Sequence, residues 1–296
     1  MRQTLLIAGK EFGDRFRSGW VIACAVVWLG AITLTSLFGL VQIGKIGVQG
    51  YERTVASLLT LVQYLVPLLA LLLGHDLVVS EREERTLALL LAAGAKRGRV
   101  LAGKFLGGCL TLAVPLVLGF AIAGAAIGLA AGAGGLAPFL KLAGSGLLLG
   151  VVFLGLGLLV STLCRTRVQA LVLALLAWCV AVFVFDLVAM GLLVVTRTPQ
   201  AALEVETATG ATHVNAAADI HAAFENGDDA AARALNQAPK QVAPWLLLNP
   251  VALFRAWNLP PSLVPPVPPA AAALSILGWL GGCLAAARWR LKRIDL

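Results

Sequence analysis

Charge is scarce in this chain. Asp, Glu, Lys and Arg make up 13% of its 296 residues while 59% are hydrophobic, and the mean hydropathy is +0.90. A soluble domain carries about a quarter charged residues, so this composition excludes an ordinary water-soluble fold and points to a chain that crosses the bilayer repeatedly. Methionine occurs twice, as Met1 and Met190, which leaves no thioether ladder for copper(I). The five cysteines, Cys24, Cys109, Cys164, Cys179 and Cys283, fall in or at the ends of apolar runs with no CxxC pair. That spacing excludes a disulfide framework and a thiolate metal cage, and it makes them small core residues. Acidic residues number 15 against 23 basic ones, a net charge of +8. Such a surplus raises the question of nucleic acid, and where the cations lie decides it.

What is abundant is long apolar sequence. Runs of about 20 residues, enough to cross a membrane, stand at roughly 20–41, 57–79, 105–131, 142–163, 169–195 and 270–287. The first is too long for a signal-peptide core and has no clear cleavage site after it, so it is expected to be retained. With the N-terminus inside, the inner segments hold 16 of the 23 basic residues: Arg2, Lys10, Arg15 and Arg17; Arg82, Arg85, Lys96, Arg97, Arg99 and Lys104; Arg165 and Arg167; Arg288, Arg290, Lys292 and Arg293. This asymmetry is the positive-inside pattern. It predicts both termini in the cytoplasm and accounts for the surplus charge without nucleic acid.

Two segments are not expected to span. Residues 1–19 set Leu5, Ala8, Phe12 and Phe16 at helical spacing with charges on the other faces, the pattern of an interfacial helix. Residues 245–269 open with "WLLLNPVALFRAW", apolar but short and carrying Pro250 and Arg255, which suits a re-entrant segment on the outer side. Between lies an alanine-rich outer insertion, 196–244. The expected fold class is therefore an all-α polytopic membrane protein: spans one to five over 20–195, the sixth with a basic tail over 270–296, and a cytoplasmic segment at 80–104.

That cytoplasmic segment is dense with charge. Five charged residues, Glu81 to Arg85, are followed by a leucine-rich stretch, Gly94 and a basic cluster at 96–99. Glu81 and Arg85 are four apart in the favourable order for a helical ion pair, and Gly94 is a natural helix stop. A solvated turn between spans would carry similar residues. A turn needs about six residues, however, and a patterned segment of this length is read as a docking surface for a soluble partner. Gly98 to Lys104 also fits GxxxxGK, the start of a phosphate-binding loop. Phe105 follows instead of Ser or Thr, and a membrane run comes next, so nucleotide binding is not expected here.

The N-terminal "AGKEFGDRFRSGW" and the later "HDLVVSEREERTLALLLAAGAKRGRVLAGKFLGG" resemble the permease subunits of type-two ABC exporters. The resemblance implies a coupling helix after span two that seats in a separate ABC ATPase, which carries the ATP and magnesium. It also implies a second permease copy, giving a homodimer in the bacterial inner membrane. Carried over by position, Glu81, Arg82, Glu83, Arg85, Thr86, Leu87, Leu90 and Leu91 belong to the coupling region. Downstream, "FVFDLVAMGLLV" and "PWLLLNPVALFRAWNL" are similar to the branch of these permeases that serves maturation of the copper enzyme nitrous oxide reductase. That narrower resemblance implies a periplasmic partner protein. The insertion 197–244 departs from the pattern and leaves the identity of that partner open.

The remaining polar residues admit two readings each. Asp186, near the outer end of span five, is either a cargo-route carboxylate or a tie to Arg255 or to an amide such as Asn249. The tie is preferred, since one acid alone makes a poor site. His213 and His221 in the insertion, with neighbouring acids, are an incomplete metal set and read as an exposed polar helix. His75 and Asp76 at the end of span two are expected to cap or pair with the charged segment. Gln63, Tyr64 and Pro67 are read as packing features of span two. Gly124, Gly128 and Gly132 on span three, and Gly146 and Gly150 on span four, give small faces for close helix contact. No catalytic constellation is evident, which disfavours a membrane-embedded enzyme. A generic exporter of lipid, drug or peptide, and a force transmitter that moves no cargo, both stay open.

Overall fold

The computed structural model describes residues 2–41, 48–86, 92, 96–131, 136–185, 187–188, 247–258 and 267–293, and every regular element among them is helical. In chain order these are α1 (Arg2–Phe16), α2 (Gly19–Val41), α3 (Val48–Gly74), α4 (Val79–Glu83), α5 (Arg97–Ala131), α6 (Leu136–Leu163), α7 (Arg167–Cys179, continued by a π-helical turn Val180–Val184), α8 (Pro250–Asn258) and α9 (Pro269–Lys292). Among the described residues, α2, α3, α5, α6, α7 and α9 are long and apolar enough to cross a membrane. The chain is a multi-pass membrane protein.

The helices follow from local rules. Thr166 caps α7, its hydroxyl accepting from Gln169 N, while the Gln169 amide oxygen accepts from Arg165 N. Asn249 caps α8 by accepting from Val251 N at 3.0 Å, and Pro250 takes the first helical position, where its missing N–H is harmless. One boundary differs from expectation. Span three was placed at 105–131, but α5 begins at Arg97, so the basic cluster and Lys104 form the first turns of the helix. Arginines and lysine carry long aliphatic stems and are good helix formers, and the apolar-run criterion misses them.

The chain forms two compact units, residues 1–180 with 274–296, and residues 181–273. In the first, α3 packs on α6 and α2 and α1 pack on α5. The α3–α6 contact is close at Gly74 and Gly157, where a Cβ on Gly74 would stand 2.9 Å from the Gly157 Cα. The buried face of α2 runs through Val21, Cys24, Trp28 and Ile32 at helical spacing. Trp28 meets Phe120 edge-on at 5.4 Å, and Phe120 meets Phe139 at 6.3 Å. Gly119 leaves the room Trp28 occupies. The glycines read as packing faces do serve at Gly124 against Phe139, Gly146 against Val62 and Gly150 against Leu112 and Val66.

Of the apolar spacing of α1, the protein covers Ala8 and leaves the larger Leu5 and Phe16 uncovered. Leu5 and Leu6 are each 66% exposed, and Phe16 is exposed too, while Ala8 is buried. Ile7, Ala8 and Glu11 lie against Gly103 and Gly107 of α5, two glycines one helical turn apart whose missing side chains let the helices touch. The larger apolar residues stay free for the bilayer.

In the second unit, α8 has nine residues, too few to cross a membrane. Pro250, Val251, Leu253 and Phe254 are buried. The Asn249 amide donates to the Ala181 carbonyl at 2.6 Å, in the π-helical turn.

Candidate functional site

The charged stretch after span two folds into a turn at 75–78, the short helix α4 and a second turn at Glu84 and Arg85. Leu77, Val78 and Val79 are buried and plug the turn into the bundle. The Ser161 hydroxyl near the end of α6 accepts from both Val78 N and Val79 N at 2.9 Å, satisfying donors at the start of α4. Arg85 sits at φ 58°, the left-handed conformation that ends a helix.

The anticipated Glu81–Arg85 helical pair is replaced by contacts with other helices. Once α4 stops at Glu83 and Arg85 turns left-handed, the four-residue register is lost. Glu81 turns inward to the Lys104 ammonium at 2.8 Å. Lys104 also pairs with Glu11 of α1, and its side chain is only 2% exposed. Arg15 closes the group, 2.9 Å from Glu11 and donating to the Leu73 carbonyl at 3.3 Å. Burial raises the Glu11 carboxyl pKa, but Lys104 and Arg15 together outweigh it and hold the group below its ordinary value.

The other acids of the run go the opposite way. Glu83 accepts from the backbone N–H of Arg167 at 2.8 Å, an anion at the N-terminus of α7, and its carboxylate lies 3.1 Å from the Arg167 Nε. Glu84 pairs with the Arg167 Nη2, and Asp76 stands 3.6 Å from its Nε. Arg82 donates to the Cys164 carbonyl at 3.2 Å. One acidic run is thus stapled to three helices, through Lys104 to α5 and α1 and through Arg167 to α7. An open cleft of about 950 Å³ lies between them, lined in part by Glu11, Arg15, Trp20, Glu81, Lys104 and Arg167.

Among the residues assigned to the coupling region, Glu81 and Arg82 are partly buried and engaged inside the protein, while Glu83, Arg85 and Thr86 are exposed. Leu87, Leu90 and Leu91 lie outside the described residues, as do Asp186, His213, His221 and the insertion 197–244. Asn249 is engaged with a backbone carbonyl and caps its own helix. The His75 Nδ1–H donates to the Leu72 carbonyl at 2.7 Å. The sequence pattern marks Lys104 and Arg167 only as positive-inside charges. The signal available for Lys104 was its place at the mouth of an apolar run, where a cation needs partners. Gly98 to Lys104 is helical from end to end, unlike a loop that wraps phosphate.

A second recess, about 560 Å³, is lined by Thr35, Ser57, Thr60, Tyr64 and Trp178 with leucines of α3. The Trp178 indole donates to the Tyr64 carbonyl at 3.0 Å, in the turn of α3 before Pro67.

The family profile of the ABC-2 family transporter proteins matches residues 5–296. A protein of Pseudomonas aeruginosa named "Probable ABC transporter permease protein NosY" is 32% identical over 305 residues, covering 97% of each chain. One of the same name from Stutzerimonas stutzeri is 37% identical over 201 residues, covering 67% of this chain and 73% of its own. The chain belongs to the ABC-2 family of transporter proteins.

Proposed function

From that membership we propose that the chain is the permease subunit of an ABC transporter, driven by a separate ABC ATPase that binds ATP and magnesium. The turn around Val79–Thr86 is where the ATPase engages. The carrying observation is mechanical: the turn is held by ion pairs to α5 and α7, and through Lys104 to α1, while Arg85 and Thr86 stand exposed. A push there reaches three helices with little internal give. The basic residues gathered on the same side favour a cytoplasmic position for this face and for both termini, in the bacterial inner membrane. Two copies, twelve spans together, make the transport unit.

The two NosY-named relatives support a narrower reading, in which the transporter serves maturation of nitrous oxide reductase with a periplasmic partner protein. The scarcity of methionine favours force transmission or a non-copper cargo over passage of copper(I) itself. The general reading is tested by purifying the chain with its ATPase and measuring stimulated ATP hydrolysis. Arg85→Glu should abolish stimulation while Arg85→Lys retains most of it; equal stimulation in both would reject the docking assignment. The narrower reading is tested by expressing the chain in Pseudomonas aeruginosa lacking its NosY-named relative. Restored nitrous oxide reduction supports it, and a chain that is inserted and stable but gives none removes it.

A further inference from the structure

Lys104 and Arg167 each meet carboxylates, but the cations at the end of α9 have no carboxylate partner among the described residues. The last turns of α9 carry Arg288, Trp289, Lys292 and Arg293, all exposed, and Trp289 is 54% exposed. At 100° per residue these four occupy one arc of about 140° on the helix. Arg293 lies 4.0 Å from the Trp289 ring. Arg97 fixes this end in place, its Nη1 donating to the carbonyls of Leu291 at 3.1 Å and Lys292 at 2.6 Å. The Arg288 guanidinium lies along α5, with Nε 3.6 Å from where a Cβ on Gly98 would stand. Lys96, also exposed, precedes the same helix. Among the described residues no carboxylate pairs with Lys96, Arg288, Lys292 or Arg293.

Like charges gathered this closely repel one another unless an anion joins them, and two features say which kind. The arc sits where a membrane-crossing helix ends, with an exposed tryptophan of the sort that settles at headgroup depth. Continuing up α9, the same arc passes Ala285, Gly282, Gly281 and Gly278, and the glycine positions meet no neighbouring atom within 4 Å. We propose that this arc binds an anionic phospholipid, with Arg288, Lys292 and Arg293 holding the phosphate and an acyl chain lying along the glycine furrow. The proposal does not depend on the ATPase assignment.

Native mass spectrometry of the full chain tests it. The protein is released from micelles doped with phosphatidylglycerol or phosphatidylcholine, and retained lipid is counted. A retained phosphatidylglycerol is expected, with phosphatidylcholine at least tenfold less abundant. The triple variant Arg288→Gln, Lys292→Gln, Arg293→Gln should lose about tenfold of the phosphatidylglycerol adduct. Arg288→Lys, Lys292→Arg, Arg293→Lys, with helicity checked by circular dichroism, should keep it. Equal retention of the two lipids overturns the proposal, as does an unchanged adduct in the Gln variant. Complete displacement by millimolar inorganic phosphate also overturns it, because the arc would then be a soluble-anion site.

Discussion

Among the described residues Lys104 is the one lysine or arginine buried in the protein. Its ammonium is buried between Glu11 and Glu81, so it joins α1 to the turn after α3 through the first turns of α5. Removing one partner of a buried pair costs more than the pair contributes, because the charges left behind stay desolvated. Lys104→Met should therefore cost about 3 kcal/mol, the low end for such losses, since Glu11 and Glu81 keep 14% and 21% of their side-chain exposure. A small fall in the unfolding midpoint in detergent, comparable to that of an exposed lysine such as Lys96, would show that the clamp contributes little. Glu11 adds a pH signature. Its folded pKa is depressed below 4.5, so its stabilisation is complete above the ordinary carboxylate range and is lost as pH falls through the lower folded value. The midpoint should drop on acidification from about pH 5 to pH 3. Glu11→Gln should begin lower and fall less over that interval.

At the scale of elements, the second staple and the exposed Arg85 make separate predictions. Ser161→Ala leaves two buried backbone donors at the start of α4 without their acceptor and should cost about 1–3 kcal/mol, with faster hydrogen exchange at Val78 and Val79. Unchanged exchange there would mean water replaces the hydroxyl. Arg85→Gly relieves a left-handed residue and should be neutral or stabilising by up to about 1 kcal/mol, even though it removes the exposed cation proposed to meet the ATPase. Stimulation should therefore fall in this variant without a loss of stability. These elements also mark what could be read in advance. The six spans were legible because bilayer thickness imposes a length on an apolar run. The Lys104 and Arg167 staples were not, since Glu11 and Lys104 are 93 residues apart and the run Glu81–Glu84 offers no local reason to split. The i, i+4 rule for Glu81 and Arg85 presumed a continuous helix, and one left-handed residue removes that premise. The glycines of α5 were legible as contact surface only where their partner was another span; Gly103 and Gly107 instead receive α1.

For the whole molecule, the question is whether the turn moves as one body with α1, α5 and α7. Lys104 and Arg167 hold it from two sides, and they are separate in the stability ledger because they share no side-chain partner. Lys104→Met and Arg167→Met should then add in their effects on unfolding. Transmission is different. If the turn must be held at both ends to pass force, losing either staple already lets it give, and losing the second removes little more. In a double-mutant cycle on ATPase stimulation, the two single variants and the double should therefore be similarly impaired while their stabilities differ stepwise. Stimulation that falls additively, each variant removing its own share, would mean that α5 and α7 are driven independently, and that the turn is a junction of two levers instead of one rigid arm.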